Sequence, residues 1–84
     1  METTDKISQM RAHLEQFKEM QHRAKIRLER LAELSMEIED KLREKDFADR
    51  VSELFGIAAN FEEKIDNLIF DYEIERNRIQ NEGA

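Results

Sequence analysis

Apolar residues in the first half of the chain recur at alternating intervals of three and four residues. The repeating positions are Ile7, Met10, Leu14, Phe17, Gln21, Ala24, Leu28, Leu31, Ser35, Ile38 and Leu42, of which only Gln21 and Ser35 are polar. This spacing puts every position on one stripe of an α-helix, as in a coiled coil. The pattern therefore predicts a first helix over about residues 4–43.

The second half of the chain repeats this pattern. Its positions are Phe47, Val51, Leu54, Ala58, Phe61, Ile65, Leu68, Tyr72, Glu75 and Ile79. They predict a second helix over about residues 46–81, with Asp46 as its N-cap. Gly56 costs about 1 kcal/mol relative to alanine inside a helix, and a break there is the alternative. Because the repeat passes through Gly56 unshifted, we expect one continuous helix.

The two repeats are out of phase, which predicts a reversal of the chain between them. The step from Leu42 to Phe47 is five residues, where the repeat needs three. Two extra residues rotate a helix by about 200°, so a single straight helix would be apolar on opposite faces in its two halves. A turn at about residues 43–46 instead brings the stripes together. The sequence predicts one all-α domain over residues 1–84, an antiparallel, coiled-coil-like helical hairpin.

Folding the chain at this turn pairs the two stripes into a core seam. The predicted core residues are Phe17, Ala24, Leu28, Leu31, Ile38, Leu54, Phe61, Ile65, Leu68 and Tyr72. Small residues face large ones, for example Ala24 opposite Ile65, as dense packing requires. The core is expected to be broadest near the turn, where Ala32, Leu34, Phe55 and Ile57 flank the seam.

Four apolar residues fall outside this seam, namely Met20, Ile69, Phe70 and Ile74. Two helices share a single interface, so these side chains are expected to be exposed unless something covers them. Burying each one is worth about 1.5–3 kcal/mol, and an exposed apolar patch on a charged surface usually marks an interface. We predict that they bind a protein partner. A different protein and a second copy of the chain in a four-helix bundle remain equally open, and a short N-terminal helix that folds back over these residues is a further alternative.

The composition fits a helical protein of the cytoplasm. Charged residues make up 40% of the chain, and it contains no Pro, Cys or Trp and only two Gly. Such a composition is typical of long helices and coiled coils. Without cysteine there is no disulfide or thiolate chemistry. No apolar stretch approaches the ~18 residues of a membrane span, and no membrane insertion is expected.

The charge distribution argues against nucleic acid as a partner. The net charge is −6; residues 1–42 carry eight basic and nine acidic residues, whereas residues 43–84 carry six and eleven. An acidic second half repels phosphate backbones and anionic membranes. One basic cluster, formed by Arg23, Lys25, Arg27 and Arg30, lacks interleaved aromatic residues for base stacking. We interpret it as a solvated helix face rather than a docking patch.

Residues for catalysis or metal binding are few. The spacing of Glu19 and His22 matches the Glu-x-x-His motif of di-iron bundles, but that site needs a second such motif and two more inward glutamates. The second helix has no histidine, and the chain has no Gly-rich phosphate loop. We therefore expect a non-enzymatic protein without a cofactor or metal.

The segment FEEKIDNLIFDYEIERN, residues 61–77, resembles a known family. The pattern Ile-x-Asn-aliphatic-Ile-aromatic followed by a second aromatic is formed by Ile65, Asn67, Leu68, Ile69, Phe70 and Tyr72. It resembles the last helix of the small helical co-chaperones of bacterial type III secretion needle subunits. The plan of two helices of near-equal length around a polar turn is similar over most of the chain. Asp71, where that family has an aromatic residue, and the strict heptads depart from it.

This resemblance implies a specific function. Such a co-chaperone joins a tetratricopeptide-like chaperone in the cytoplasm, and together they keep the needle subunit soluble and monomeric, in an equimolar complex, before export. Because the sequence departs from the family pattern at Asp71 and in its strict heptads, a homodimeric coiled-coil or four-helix-bundle structural adaptor remains the alternative.

Overall fold

Two antiparallel helices account for nearly all of the described chain. The computed structural model describes the backbone of residues 2–83 and the side chains of residues 4–83. Helix α1 spans Glu2–Glu37 and continues into a π-helical turn, Ile38–Leu42, and helix α2 spans Lys45–Gly83. Residues 2–83 contain no β-strand and form a rod of 61 × 15 × 12 Å. The predicted all-α antiparallel hairpin is confirmed.

The turn between the helices is shorter than the sequence predicted. Arg43 has left-handed backbone angles, φ 57° and ψ 33°, and its N–H donates to the carbonyl of Ile38. The N–H of Glu44 also donates to the Ile38 carbonyl, at 3.2 Å, and the Ala48 N–H donates to the Glu44 carbonyl at 3.0 Å. The chain thus reverses over Arg43 and Glu44 alone. Asp46 lies inside the first turn of α2, so its assignment as N-cap is wrong.

The seam of α1 follows the predicted stripe almost to its end. Met10, Leu14 and Ala24 are buried, and the other predicted positions from Ile7 to Ile38 are half-buried. Leu42 is the exception, because its side chain is exposed. The π-helical turn closes hydrogen bonds between residues five apart, which widens the helix and turns its last residues away from the stripe.

Helix α2 is rotated relative to the prediction. Its buried and half-buried side chains include Ala48, Val51, Ala58, Glu62, Ile65, Ile69, Tyr72, Arg76 and Ile79. Six of the ten predicted α2 positions are buried or half-buried, namely Val51, Ala58, Ile65, Tyr72, Glu75 and Ile79. At three of the other positions the contact moves to the next residue, because Ala48, Glu62 and Ile69 are buried or half-buried in place of Phe47, Phe61 and Leu68. Leu54, Phe61 and Leu68, predicted as core, are exposed, whereas Ile69, predicted as surface, is only 7% exposed.

Small residues beside the turn explain this rotation. The Ser35 hydroxyl donates to the carbonyl of Ala48 at 3.2 Å and lies 2.9 Å from the hydroxyl of Ser52. Two helices joined by a two-residue turn must approach closely, and Ala48 fits between them where Phe47 does not. The seven-residue repeat carries this rotation down α2, from Ala48 to Ile69.

The densest part of the core lies in the open half of the hairpin, away from the turn. Leu14, 1% exposed, packs with Ile65 and Ile69, and Phe17 and Tyr72 pack against this cluster. The rings of Phe17 and Tyr72 meet nearly perpendicular, with centroids 5.4 Å apart. The expectation of a broad core beside the turn is wrong, because Leu34, Phe55 and Ile57 are all exposed.

Gly56 does not break α2, which continues from Lys45 to Gly83. A Cβ atom built at Gly56 meets no atom within 4 Å, so alanine fits without displacing anything. We expect Gly56→Ala to raise the free energy of unfolding by about 1 kcal/mol, because glycine is a poor helix former. Urea unfolding followed by circular dichroism measures this. A variant less stable than the wild type would mean that α2 is interrupted at this residue in solution.

Candidate protein-binding surface

One long flank of the hairpin is closed by polar contacts between the helices. Gln21 Nε2 donates to Asp66 Oδ1 at 2.5 Å, and Lys18 Nζ lies 3.4 Å from Glu73 Oε1. Asp66 and Glu73 are seven residues apart and therefore lie on the same side of α2. Both are half-buried against α1. These two contacts span the interface between the helices on this flank.

The opposite flank carries an apolar groove between the helices. Leu68 lies on the other side of Ile65 and Ile69 from Asp66 around the helix axis. Two adjoining depressions, of about 320 and 330 Å³, run along this flank and meet at Phe61. We define the groove face by its large apolar side chains, which are Phe17, Met20, Leu31, Leu54, Ile57, Phe61 and Leu68.

The groove face consists largely of residues that the heptad pattern had assigned to the core. Leu54, Phe61 and Leu68 recur at seven-residue intervals, and the rotation of α2 leaves them 53%, 46% and 43% exposed. The sequence carries a signal for this in adjacent apolar pairs such as Leu68 and Ile69. Only one residue of each pair can point at α1, since neighbours in a helix diverge by about 100°.

The four residues predicted to bind a partner do not form one surface. Ile69 is in the core, so its assignment as an exposed contact is wrong. Met20 is exposed and lies on the groove face beside Phe61. Phe70 and Ile74 are exposed, as predicted, but lie about 100° and 140° around α2 from Ile69. They form a separate outer ridge, a name kept here for Phe70 and Ile74.

Positive charge borders the groove face, although the whole chain is acidic. Arg27 and Lys64 line the groove from α1 and α2 respectively. Arg23 and Arg30 line a depression that adjoins it on α1. Arg23 is paired with Glu19 at 2.7 Å. In the part of the chain that the structure describes, no carboxylate lies within ion-pair distance of Arg27, Arg30 or Lys64.

At the open end of the hairpin, titratable groups form one hydrogen bond between the helices and one ion-pair network within α2. His13 Nδ1 and the hydroxyl of Tyr72 form a hydrogen bond of 2.7 Å between the helices. Arg78 bridges Glu75 and Glu82 on α2. The hydrogen bond from Arg78 lowers the pKa of Glu75, and both carboxylates raise the pKa of Arg78. These groups are solvent-exposed, and such pairs contribute little to stability.

Comparison with known proteins identifies no relative that could assign a role to this surface. The sequence matches no protein-family model, no curated protein and no solved structure. Within residues 2–83, neither helix combines the length and apolar character needed to cross a bilayer. No three His, Asp or Glu side chains among the described residues are grouped so that they could hold a metal ion. The groove face is the strongest functional candidate that the geometry provides.

Proposed function

We propose that this chain is a non-enzymatic protein-binding module that holds a helical partner on its groove face. The observation that supports this proposal is the exposure of five large apolar side chains along one flank, between 43% and 69% each. They are Met20, Leu54, Ile57, Phe61 and Leu68. A contiguous apolar surface of this kind on a highly charged protein is typical of an interface.

The hairpin itself gives a physical reason for needing a partner. Among the described side chains only six apolar ones are buried, namely Met10, Leu14, Ala24, Ala48, Ile65 and Ile69. A domain of this size with so thin a core is marginally stable alone. A partner helix in the groove would form a third layer of side chains over Phe61 and Leu68. Because it would bind only the folded hairpin, it would raise the stability of the hairpin.

In its most specific form, the proposal is a co-chaperone of type III secretion. With a tetratricopeptide-like chaperone, the chain would keep a needle subunit soluble and monomeric in the cytoplasm before export. The resemblance over residues 61–77 supports this. In the hairpin, some residues of this segment pack against α1 and others are exposed. Ile65, Ile69 and Tyr72 hold the two helices together, whereas Leu68 is exposed on the groove face.

Co-expression with a type III secretion chaperone and its needle subunit tests this specific form. We expect an equimolar ternary complex by size-exclusion chromatography with light scattering, and a melting temperature above that of the isolated hairpin. The Phe61→Asp variant is the control, and it should fail to join the complex. A needle subunit that polymerises equally with and without the wild-type chain would contradict the co-chaperone function. So would an isolated chain that already melts above about 90 °C, the hyperstable range.

A homodimeric structural adaptor is the second candidate, because the length of the groove face also suits a second hairpin. From Leu54 to Leu68 the face runs for about 21 Å along α2, long enough for two hairpins to pack as a four-helix bundle. Sedimentation equilibrium separates the two functions. A dimer that persists through micromolar dilution supports the adaptor, whereas a monomer supports a module that binds a different protein.

A further inference from the structure

We infer that the groove face binds an acidic amphipathic α-helix, which Arg27, Arg30 and Lys64 select by charge. This inference rests on the proposed function, because it takes the groove face as the docking surface and adds the chemistry of the partner. The observation that supports this inference is the position of the positively charged Arg27, Arg30 and Lys64 side chains. Arg27 and Lys64 stand at the two sides of the groove, one on each helix, and Arg30 lines the adjoining depression.

The dimensions of the groove fit one helix. Its apolar floor runs from Leu54 through Phe61 to Leu68, about 21 Å at 1.5 Å per residue, which is the length of four turns of a docked helix. An amphipathic helix presents apolar residues at i, i+3, i+4 and i+7 as one stripe. That stripe would lie on Phe61, at the meeting point of the two depressions.

The flanks of such a docked helix would then meet the cations. Residues beside its apolar stripe point along the groove edges, where Arg27 approaches from α1 and Lys64 from α2. None of the three cations has a carboxylate of its own chain within ion-pair distance in residues 4–83. Glutamates or aspartates on the partner would supply that charge, whereas lysines or arginines would be repelled.

The same cations argue against a second copy of this chain as the occupant. In a two-fold dimer each surface patch meets its own equivalent. If two groove faces met across an axis through Phe61, the Arg27 and Lys64 side chains of both copies would crowd around that axis. Like charges facing each other destabilise an interface, so self-association in the register that covers the groove best is disfavoured.

Two designed peptides test the inference. Each has three heptads with the same stripe of leucines; one carries glutamate at all flanking positions and the other carries lysine. We expect the acidic peptide to bind the wild-type chain at least about tenfold more tightly in low salt by fluorescence anisotropy, and this difference to shrink at high salt. The Arg27→Glu, Lys64→Glu double variant, with unchanged circular dichroism, should reverse the preference.

Each other outcome overturns the inference in a distinguishable way. Equal affinity for the two peptides, with binding lost in Phe61→Asp, would leave the groove face as a docking surface but remove the selection by charge. Binding of neither peptide would overturn the inference, while the co-expression experiment would still decide the proposed function. A wild-type dimer that excludes both peptides would identify a second copy of the chain as the occupant.

Discussion

Replacing Ile69 with aspartate is expected to unfold the hairpin, whereas the same replacement at the neighbouring Leu68 should leave it folded. Ile69 is 7% exposed and packs with Leu14 and Ile65, but Leu68 is 43% exposed on the groove face. Removing a large core side chain costs about 2–5 kcal/mol. Burying an unpaired carboxylate in its place costs several kcal/mol more.

This loss in the free energy of unfolding exceeds the total stability expected of a two-helix hairpin, since small domains are stable by only about 5 kcal/mol. Far-UV circular dichroism should therefore show most of the helicity lost in Ile69→Asp and retained in Leu68→Asp. The two variants introduce the same charge at adjacent positions, so each is the control for the other. The opposite result would mean that α2 adopts the rotation implied by the heptad pattern, with Leu68 in the core.

The second large effect concerns binding. The double variant Leu54→Asp, Phe61→Asp should keep its helicity and lose partner binding by at least about 100-fold, because two central apolar contacts disappear and two charges enter a desolvated interface. The matched variant Phe70→Asp, Ile74→Asp places the same two charges on the outer ridge. It should bind the partner nearly as well as the wild type.

Isothermal titration with the acidic peptide, and pull-down with the co-expressed chaperone, both measure this difference. Circular dichroism of each double variant must first show that the hairpin is folded. If the groove variant binds normally and the ridge variant does not, the outer ridge is the interface. In that case the partner would bind Phe70 and Ile74, as the heptad pattern alone predicts.

The α1 seam and the antiparallel reversal were predictable because each depends on local spacing. One unbroken repeat from Ile7 to Ile38 defines a single stripe, and the five-residue step to Phe47 is incompatible with one straight helix. The continuity of α2 through Gly56 followed from the same repeat. Periodicity of this kind is the strongest structural signal in a sequence.

The rotation of α2 was not predictable from the same signal. Adjacent apolar residues such as Leu68 and Ile69 fit a heptad stripe equally well with either one in the seam. The packing near the turn decides which residue of each pair faces α1. There Ala48 and Ser52 allow a close approach of the helices, and the bulkier Phe47 does not. The heptad pattern predicts Phe47 rather than Ala48 as the core residue, because the pattern reflects hydrophobicity and not side-chain size.

The functional surface depended on that rotation, which is why sequence reasoning identified it only in part. The heptad pattern correctly places Met20 outside the seam, but it assigns the exposed Leu54 and Phe61 to the core. For the basic cluster, the sequence pattern indicates only a solvated helix face. Only the rotated α2 brings Phe61 and Lys64 into the same groove as Arg27.

The absence of cysteine from the sequence permits a direct test of the groove face as the docking surface. Single Ile57→Cys and Ile74→Cys variants place one thiol on the groove face and one on the outer ridge, both at exposed isoleucine positions. Each is alkylated with iodoacetamide alone and with the acidic helical peptide at a concentration that saturates the wild-type chain. We expect the peptide to slow the reaction at least about tenfold in Ile57→Cys, since a docked helix excludes the reagent, and to leave Ile74→Cys unchanged. Equal alkylation rates in Ile57→Cys with and without bound peptide would contradict the account.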